Sequence, residues 1–239
     1  MQNRFYRILS FLVFAVLYTQ TAMVELILLP FAYFRLQKMV KFFVRFWAKS
    51  VFWILGKKLT ISGTENYSKN KRYIISANHA SMFDITAIMA FYPDVAWFGH
   101  ERLMKIPVFS QILKMTNYIP LKETNIKNTK LMLDTIIEKS KQHTIAIFPE
   151  GTRTLNGSVN NFYRGFVYIL RDSDAEILPV TLNGFYLLNP KNRKYINFGA
   201  KLSVVINKPI KASDLKTKSD KEIISQMKTI IESEIINAN

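Results

Sequence analysis

The sequence predicts an α/β fold: a single domain with a mixed sheet covered by helices over residues 57–239, preceded by an N-terminal membrane-embedded helical segment over residues 1–56. Three observations predict it. Ile8 to Leu29 is almost unbroken apolar sequence, and about 20 such residues cross a hydrocarbon core as a helix. The next stretch pairs aromatic bulk with regularly spaced cations. From Lys57 onward, short β-branched runs alternate with segments of helical period, the pattern of helices packed on a sheet.

The first apolar segment follows a short basic start (Arg4, Arg7), which also suits a cleaved signal peptide. No small-residue cleavage pattern follows, and the run is too long for one. After Pro30 come Lys41, Arg45 and Lys49, four apart, which form one stripe on a helix extended by Lys38. Phe42, Phe43, Phe46, Trp47, Phe52 and Trp53 fill much of the remaining circumference. A basic stripe beside aromatic bulk describes a helix lying in the lipid interface, against the plainer reading of a core helix with a solvated lysine face. The larger basic excess lies C-terminal to the first apolar segment, so a single span leaves the main domain cytoplasmic. A helical pair broken at Pro30 and sunk into one leaflet fits equally well.

Composition narrows the chemistry. The 239 residues are 49% hydrophobic, which excludes disorder as a description of the whole chain. A formal net charge of +16 points to an anionic partner: nucleic acid, a membrane surface, an acidic protein or a phosphorylated substrate. With no cysteine there is no disulfide framework, no thiolate metal site and no thiol nucleophile. Nothing in the sequence selects an oligomeric state.

Along the main domain, strands are expected at Leu59–Ser62, Tyr73–Ala77, Val95–Phe98, Thr144–Phe148, Glu176–Leu182 and Leu202–Ile206. Helices are expected around Met82–Phe91, Val108–Met115, Ile126–Lys141, Tyr163–Arg171 and Lys221–Ile236, with surface loops at Thr64–Lys71 and Lys211–Lys221. There is no internal repeat.

Two segments carry chemistry. Tyr73–Ala77 runs into Asn78-His79-Ala-Ser-Met-Phe-Asp84, which delivers a His and an Asp where a strand hands over to a helix. A carboxylate on one imidazole nitrogen fixes the tautomer and leaves the other nitrogen as a general base. The plainer alternative is that Asp84 caps the helix while His79 satisfies a backbone group. Thr144–Phe148 then runs into Pro149-Glu150-Gly151-Thr152-Arg153. Loops at the C-terminal ends of strands are where open α/β sheets place ligands. Gly151 allows close backbone approach, and Arg153 offers a planar fork suited to phosphate; a plain turn with solvated Glu and Arg is the alternative.

Together, Asn-His-x4-Asp and Phe-Pro-Glu-Gly-Thr-Arg resemble the glycerophospholipid acyltransferase family, whose two hallmark motifs stand here without substitution. Gly63-x-Glu65-Asn66, Phe162-Tyr163-Arg164-Gly165 and Ile177-Leu178-Pro179-Val180 agree, and the resemblance spans residues 58–207. It implies direct acyl transfer from an acyl carrier protein or coenzyme A thioester to the free hydroxyl of 1-acylglycerol-3-phosphate. In that reading His79 is the base, oriented by Asp84. Glu150, Gly151, Thr152 and Arg153 are the acceptor-binding loop, with Arg153 on the phosphate. The chain departs from the family at its second motif. His100 stands at the usual Lys, ahead of Leu103, Lys105 and Pro107, and the strand around Tyr118–Leu121 ends in Lys122 rather than Arg. Lys105 and Lys122 would supply phosphate-binding charge as ammonium points.

Ser81 beside His79 invites a nucleophilic reading, but no nucleophile-elbow pattern surrounds it. No metal and no cofactor are expected, and membrane lipids are the expected partners. Another lysophospholipid or an amino lipid is the alternative acceptor. A nucleic-acid partner is not expected, since Lys and Arg are dispersed and the aromatics sit in apolar runs.

Overall fold

A computed structural model describes residues 2–105, 110, 113–114, 116–121 and 126–236. The chain opens with helix α1 (Gln2–Tyr33) and returns as α2 (Gln37–Ile54). The helix does not break at Pro30; it carries the proline inside and turns at Phe34–Leu36, where Arg35 takes a left-handed φ of 53°. The proline gives up the bond its own amide would make to the Leu26 carbonyl one turn earlier, while its carbonyl accepts from the Phe34 amide at 3.0 Å, so the helix runs on to Tyr33. Residues Arg4–Tyr33 are long and apolar enough to cross a membrane, and only 17% of their most apolar window is buried in the protein, unlike a core helix.

The two helices are fastened by polar pairs as well as apolar ones. Gln20 donates to Ser50 Oγ at 2.7 Å, and the Trp47 indole donates to Thr21 Oγ1 at 3.0 Å. Val24 and Leu28 pack on Val40 and Val44. Further along α2, Ala48, Val51 and Phe52 join the main core beside Phe83, Ala87 and Phe185. The basic stripe therefore does not face lipid throughout: Lys41 reaches Asp94 of the main domain at 2.6 Å. The side of α2 away from the core leaves Phe42, Phe46 and Trp53 exposed.

Among the described residues the main sheet has six strands: β1 (Leu59–Ser62), β2 (Tyr73–Ala77), β3 (Val95–Ala96), β6 (Thr144–Ile147), β7 (Glu176–Asn183) and β8 (Leu202–Ile206). Their order is β1-β8-β7-β2-β6-β3, and only the β7–β8 pair is antiparallel, so the sheet is mixed. β2 is buried on both faces, with Ile75 and Ala77 in one cluster and Ile74 in the other, as a central parallel strand requires. α2, α3 (Phe83–Phe91) and α6 (Phe185–Leu188) cover the first face. α4 (Ile126–Ser140), α5 (Arg164–Asp172) and α7 (Asp220–Ser233) cover the second.

Two expectations change. The strand Val95–Phe98 divides, and its second part becomes β4 (Phe98–His100), which pairs with β5 (Ile119–Leu121) in a separate ladder. Trp97 sits at the division, and its carbonyl accepts from Ile119 at 2.8 Å. Lys211–Lys221 is not a surface loop throughout, because Ala212 and Leu215 are buried under a short turn and Ser219 begins α7 with a capping box. Most of the helix expected at Val108–Met115, and the strand end at Lys122, lie outside the described residues.

Candidate active site

Parallel neighbours end at the same edge of a sheet, so the loops leaving β2 and β6 meet there although they lie 71 residues apart in the chain. Asn78 leaves β2 and extends the ladder with its side chain. It accepts from the Leu182 amide at 2.8 Å and donates to the Leu182 carbonyl at 3.0 Å, taking the place of a further rung against β7. His79 follows, with its backbone fixed on both sides. Its amide donates to Glu150 Oε1 at 2.6 Å, and its carbonyl accepts from the Thr154 amide at 2.8 Å.

The imidazole Nδ1 lies 2.8 Å from Asp84 Oδ2. That oxygen also accepts from the Ala80 and Ser81 amides at 2.6 and 2.8 Å, so Asp84 folds the turn back onto the first turn of α3. Asp84 thus holds the histidine and the turn ahead of α3 rather than capping the helix, since the Ala80 and Ser81 amides precede the helix and its start carries no side-chain cap. Asp84 is fully buried while the His79 side chain keeps 17% exposure, so the pair is shielded on one side only. Burial pushes the Asp84 carboxyl up, and the His79 ring and the two amides pull it back down. Phe148 lies flat on the imidazole, with ring centroids 4.0 Å apart and planes 10° apart, and Trp97 stacks behind it. The ring is thus held at its edge by a carboxylate and on its face by an aromatic wall.

Ser81 is fully buried and donates to the Asn189 carbonyl at 2.8 Å. Glu150 has both oxygens engaged, Oε1 by His79 and Oε2 by the Asn160 amide at 2.7 Å. Burial raises its carboxyl, and the two amides oppose the rise. This carboxylate ties the two motif loops together as well as lining the cleft. Gly151 has φ +64°, and a Cβ there would come 2.8 Å from the Tyr163 ring, so the turn needs glycine twice over.

Beside these loops opens a cleft of about 620 Å³, lined by Glu150, Thr152, Arg153, Asn160, Tyr163 and Lys191 among others. Arg153 is half-buried and makes no ion pair among the described residues. Lys105 ends an exposed turn, Glu101–Lys105, and is not part of this lining. Lys122 lies outside the described residues. The role of Asn78 and the presence of Lys191 escape the sequence reading. Asn78 carries a signal in its place beside His79, whereas Lys191 carries none.

A carboxylate-held histidine at the edge of an α/β sheet, beside a cleft that carries cations, suits proton transfer to or from an anionic substrate. A family model described as Acyltransferase matches residues 58–183, more than half the chain, and the chain belongs to that family. A 1-acyl-sn-glycerol-3-phosphate acyltransferase of Cocos nucifera is 31% identical over 197 residues, covering 80% of this chain and 62% of its own length. The same-named protein of Borreliella burgdorferi is 30% identical over 160 residues, covering 65% and 62%. The chain thus spans about three fifths of the length of these curated relatives. The crystal structure of the 1-acyl-sn-glycerophosphate (LPA) acyltransferase, PlsC, from Thermotoga maritima superposes with a TM-score of 0.82 at 25% identity, covering 98% of this chain and 99% of that one.

Proposed function

We propose that the protein transfers a fatty acyl group from a thioester donor, acyl carrier protein or coenzyme A, to the free hydroxyl of 1-acylglycerol-3-phosphate, giving phosphatidic acid. The observation that carries this reading is the His79–Asp84 pair beside a cleft that presents Arg153. The names of the relatives point to the same reaction.

With Nδ1 turned to Asp84, Nε2 is left to accept the proton of the acceptor hydroxyl. The oxygen attacks the thioester carbonyl, the tetrahedral intermediate collapses, and the thiolate leaves with the proton carried by His79. Asp84 stabilises the imidazolium between these two transfers. No acyl-enzyme forms. Ser81, fully buried with its hydroxyl donated to Asn189, serves packing rather than attack. Arg153 takes the acceptor phosphate, Thr152 and Gly151 shape the loop, and Glu150 holds that loop to the histidine.

The segment 1–56 anchors the protein, with α1 and the exposed aromatic side of α2 in lipid, so both acyl chains arrive at membrane depth. The basic excess after the first apolar segment supports a catalytic domain on the cytoplasmic face for a single span. Transfer assays that cross several lysolipids with both donor types, with products read by mass, test the reading. Phosphatidic acid from 1-acylglycerol-3-phosphate should dominate. A larger yield from a head-group-bearing lysophospholipid or an amino lipid would replace the acceptor while leaving His79 in place.

A further inference from the structure

We infer that Lys191 is a second cation of the acceptor-phosphate site, acting with Arg153; the inference rests on the function proposed above. The strands β7, β2 and β6 lie side by side and parallel, so three loops reach the same sheet edge. Two bring the motif residues. The third leaves β7 at Gly184, passes through α6 and brings Asn189-Pro190-Lys191 to the cleft.

Its position is built rather than incidental. Ser81 Oγ donates to the Asn189 carbonyl at 2.8 Å, and Ser81 and Pro190 pair as an isolated antiparallel bridge. The backbone carrying Lys191 is therefore fixed to the turn that carries His79. The Asn189 side chain donates to the carbonyls of Arg193 and Tyr195 at 3.1 and 3.2 Å, closing the turn on itself. Arg193 donates to the Leu187 and Leu188 carbonyls and lies over the Tyr195 ring, so its guanidinium is occupied within the turn. Lys191 is the cation of this turn that reaches the cleft, its Nζ 3.5 Å from Thr152 Oγ1 of the acceptor loop.

Arg153 and Lys191 face the same space from different loops. A phosphate monoester carries close to two charges and three free oxygens. A guanidinium fork satisfies two oxygens, and an ammonium supplies the second charge and a third bond. Among the described residues the one carboxylate in the lining, Glu150, is engaged by two amides. Lys191 is exposed and has no sequence motif around it, which is why only the folded chain reveals it.

The test measures kcat and KM for full-length wild type, Lys191→Ala, Lys191→Arg and Lys191→Glu in uncharged mixed micelles. Acceptors are 1-acylglycerol-3-phosphate and monoacylglycerol. Wild type should prefer the phosphate-bearing acceptor. Lys191→Ala should raise its KM about tenfold, as expected for one lost charge-assisted bond, with kcat little changed. Lys191→Glu should be worse, Lys191→Arg close to wild type, and monoacylglycerol turnover unaffected. If wild type discriminates but Ala and Glu leave the KM for the phosphate acceptor unchanged, Lys191 has no such role and the function stands. Equal losses on both acceptors would also remove it from the phosphate site. If wild type itself does not discriminate, the proposed function falls first and takes the inference with it.

Discussion

His79 has its amide, its carbonyl, its ring edge and its ring face each held by a different neighbour: Glu150, Thr154, Asp84 and Phe148. In the proposed mechanism, a base held on four sides would lose little entropy when the acceptor arrives, as a proton transfer between fixed partners needs. The His79–Asp84 pair is legible in sequence because both residues lie within one turn, where spacing translates directly into proximity. The Glu150 tether and Lys191 are not, since they are brought in by strand order. Arg153 follows a glycine at the strand end, where its fork suits a terminal phosphate. Arg153→Lys should chiefly raise the acceptor KM, and Arg153→Ala should do so more severely, by about 2 to 5 kcal/mol in transition-state terms. Donor KM should hardly move; a donor-side effect of equal size would reassign the residue. Ser81→Ala leaves the Asn189 carbonyl without its donor, costing about 1 to 2 kcal/mol of stability in urea unfolding. Its kcat should stay within a few-fold of wild type, whereas loss of all turnover would restore the nucleophile reading.

Among the elements, β1, β2 and β8 stand where short β-branched runs bounded by polar or turn residues put them. The division of Val95–Phe98 is invisible locally: nothing in Val-Ala-Trp-Phe says that its second half pairs with β5, a non-local choice. α2 shows the same limit. Its basic and aromatic sides are plain in the sequence, but that Val51 and Phe52 complete the core against α3 and α6 depends on tertiary packing. Deleting residues 1–56 would therefore strip the core as well as the anchor. A cleaner test replaces Phe42, Phe46 and Trp53, all more than half exposed, with Gln. The triple variant should keep its circular dichroism and lose most of its co-sedimentation with lipid vesicles. Unchanged vesicle binding would move the membrane contact away from α2.

At the scale of the molecule, a net charge of +16 and a long apolar helix left mostly unburied fit one proposed arrangement. Under the proposed function the charge would draw an anionic surface and an anionic acceptor, while the helices would set the depth at which acyl chains reach the site. The sheet edge carrying His79 joins these parts, since one side of the α/β domain packs on α2 and the β2, β6 and β7 loops open beside the cleft. Both acceptor and donor meet the same histidine in this account, so the central claim reduces to one proton transfer. The measurement that tests it most directly supplies purified full-length enzyme with 1-acylglycerol-3-phosphate and an acyl thioester, and follows phosphatidic acid by mass for wild type, His79→Ala and Asp84→Asn. The account predicts rapid product from wild type, and a loss of orders of magnitude for Asp84→Asn, whose imidazole keeps no orienting charge. It predicts no detectable transfer from a His79→Ala protein whose circular dichroism is unchanged. A folded His79→Ala enzyme that retains most of the wild-type rate would contradict it.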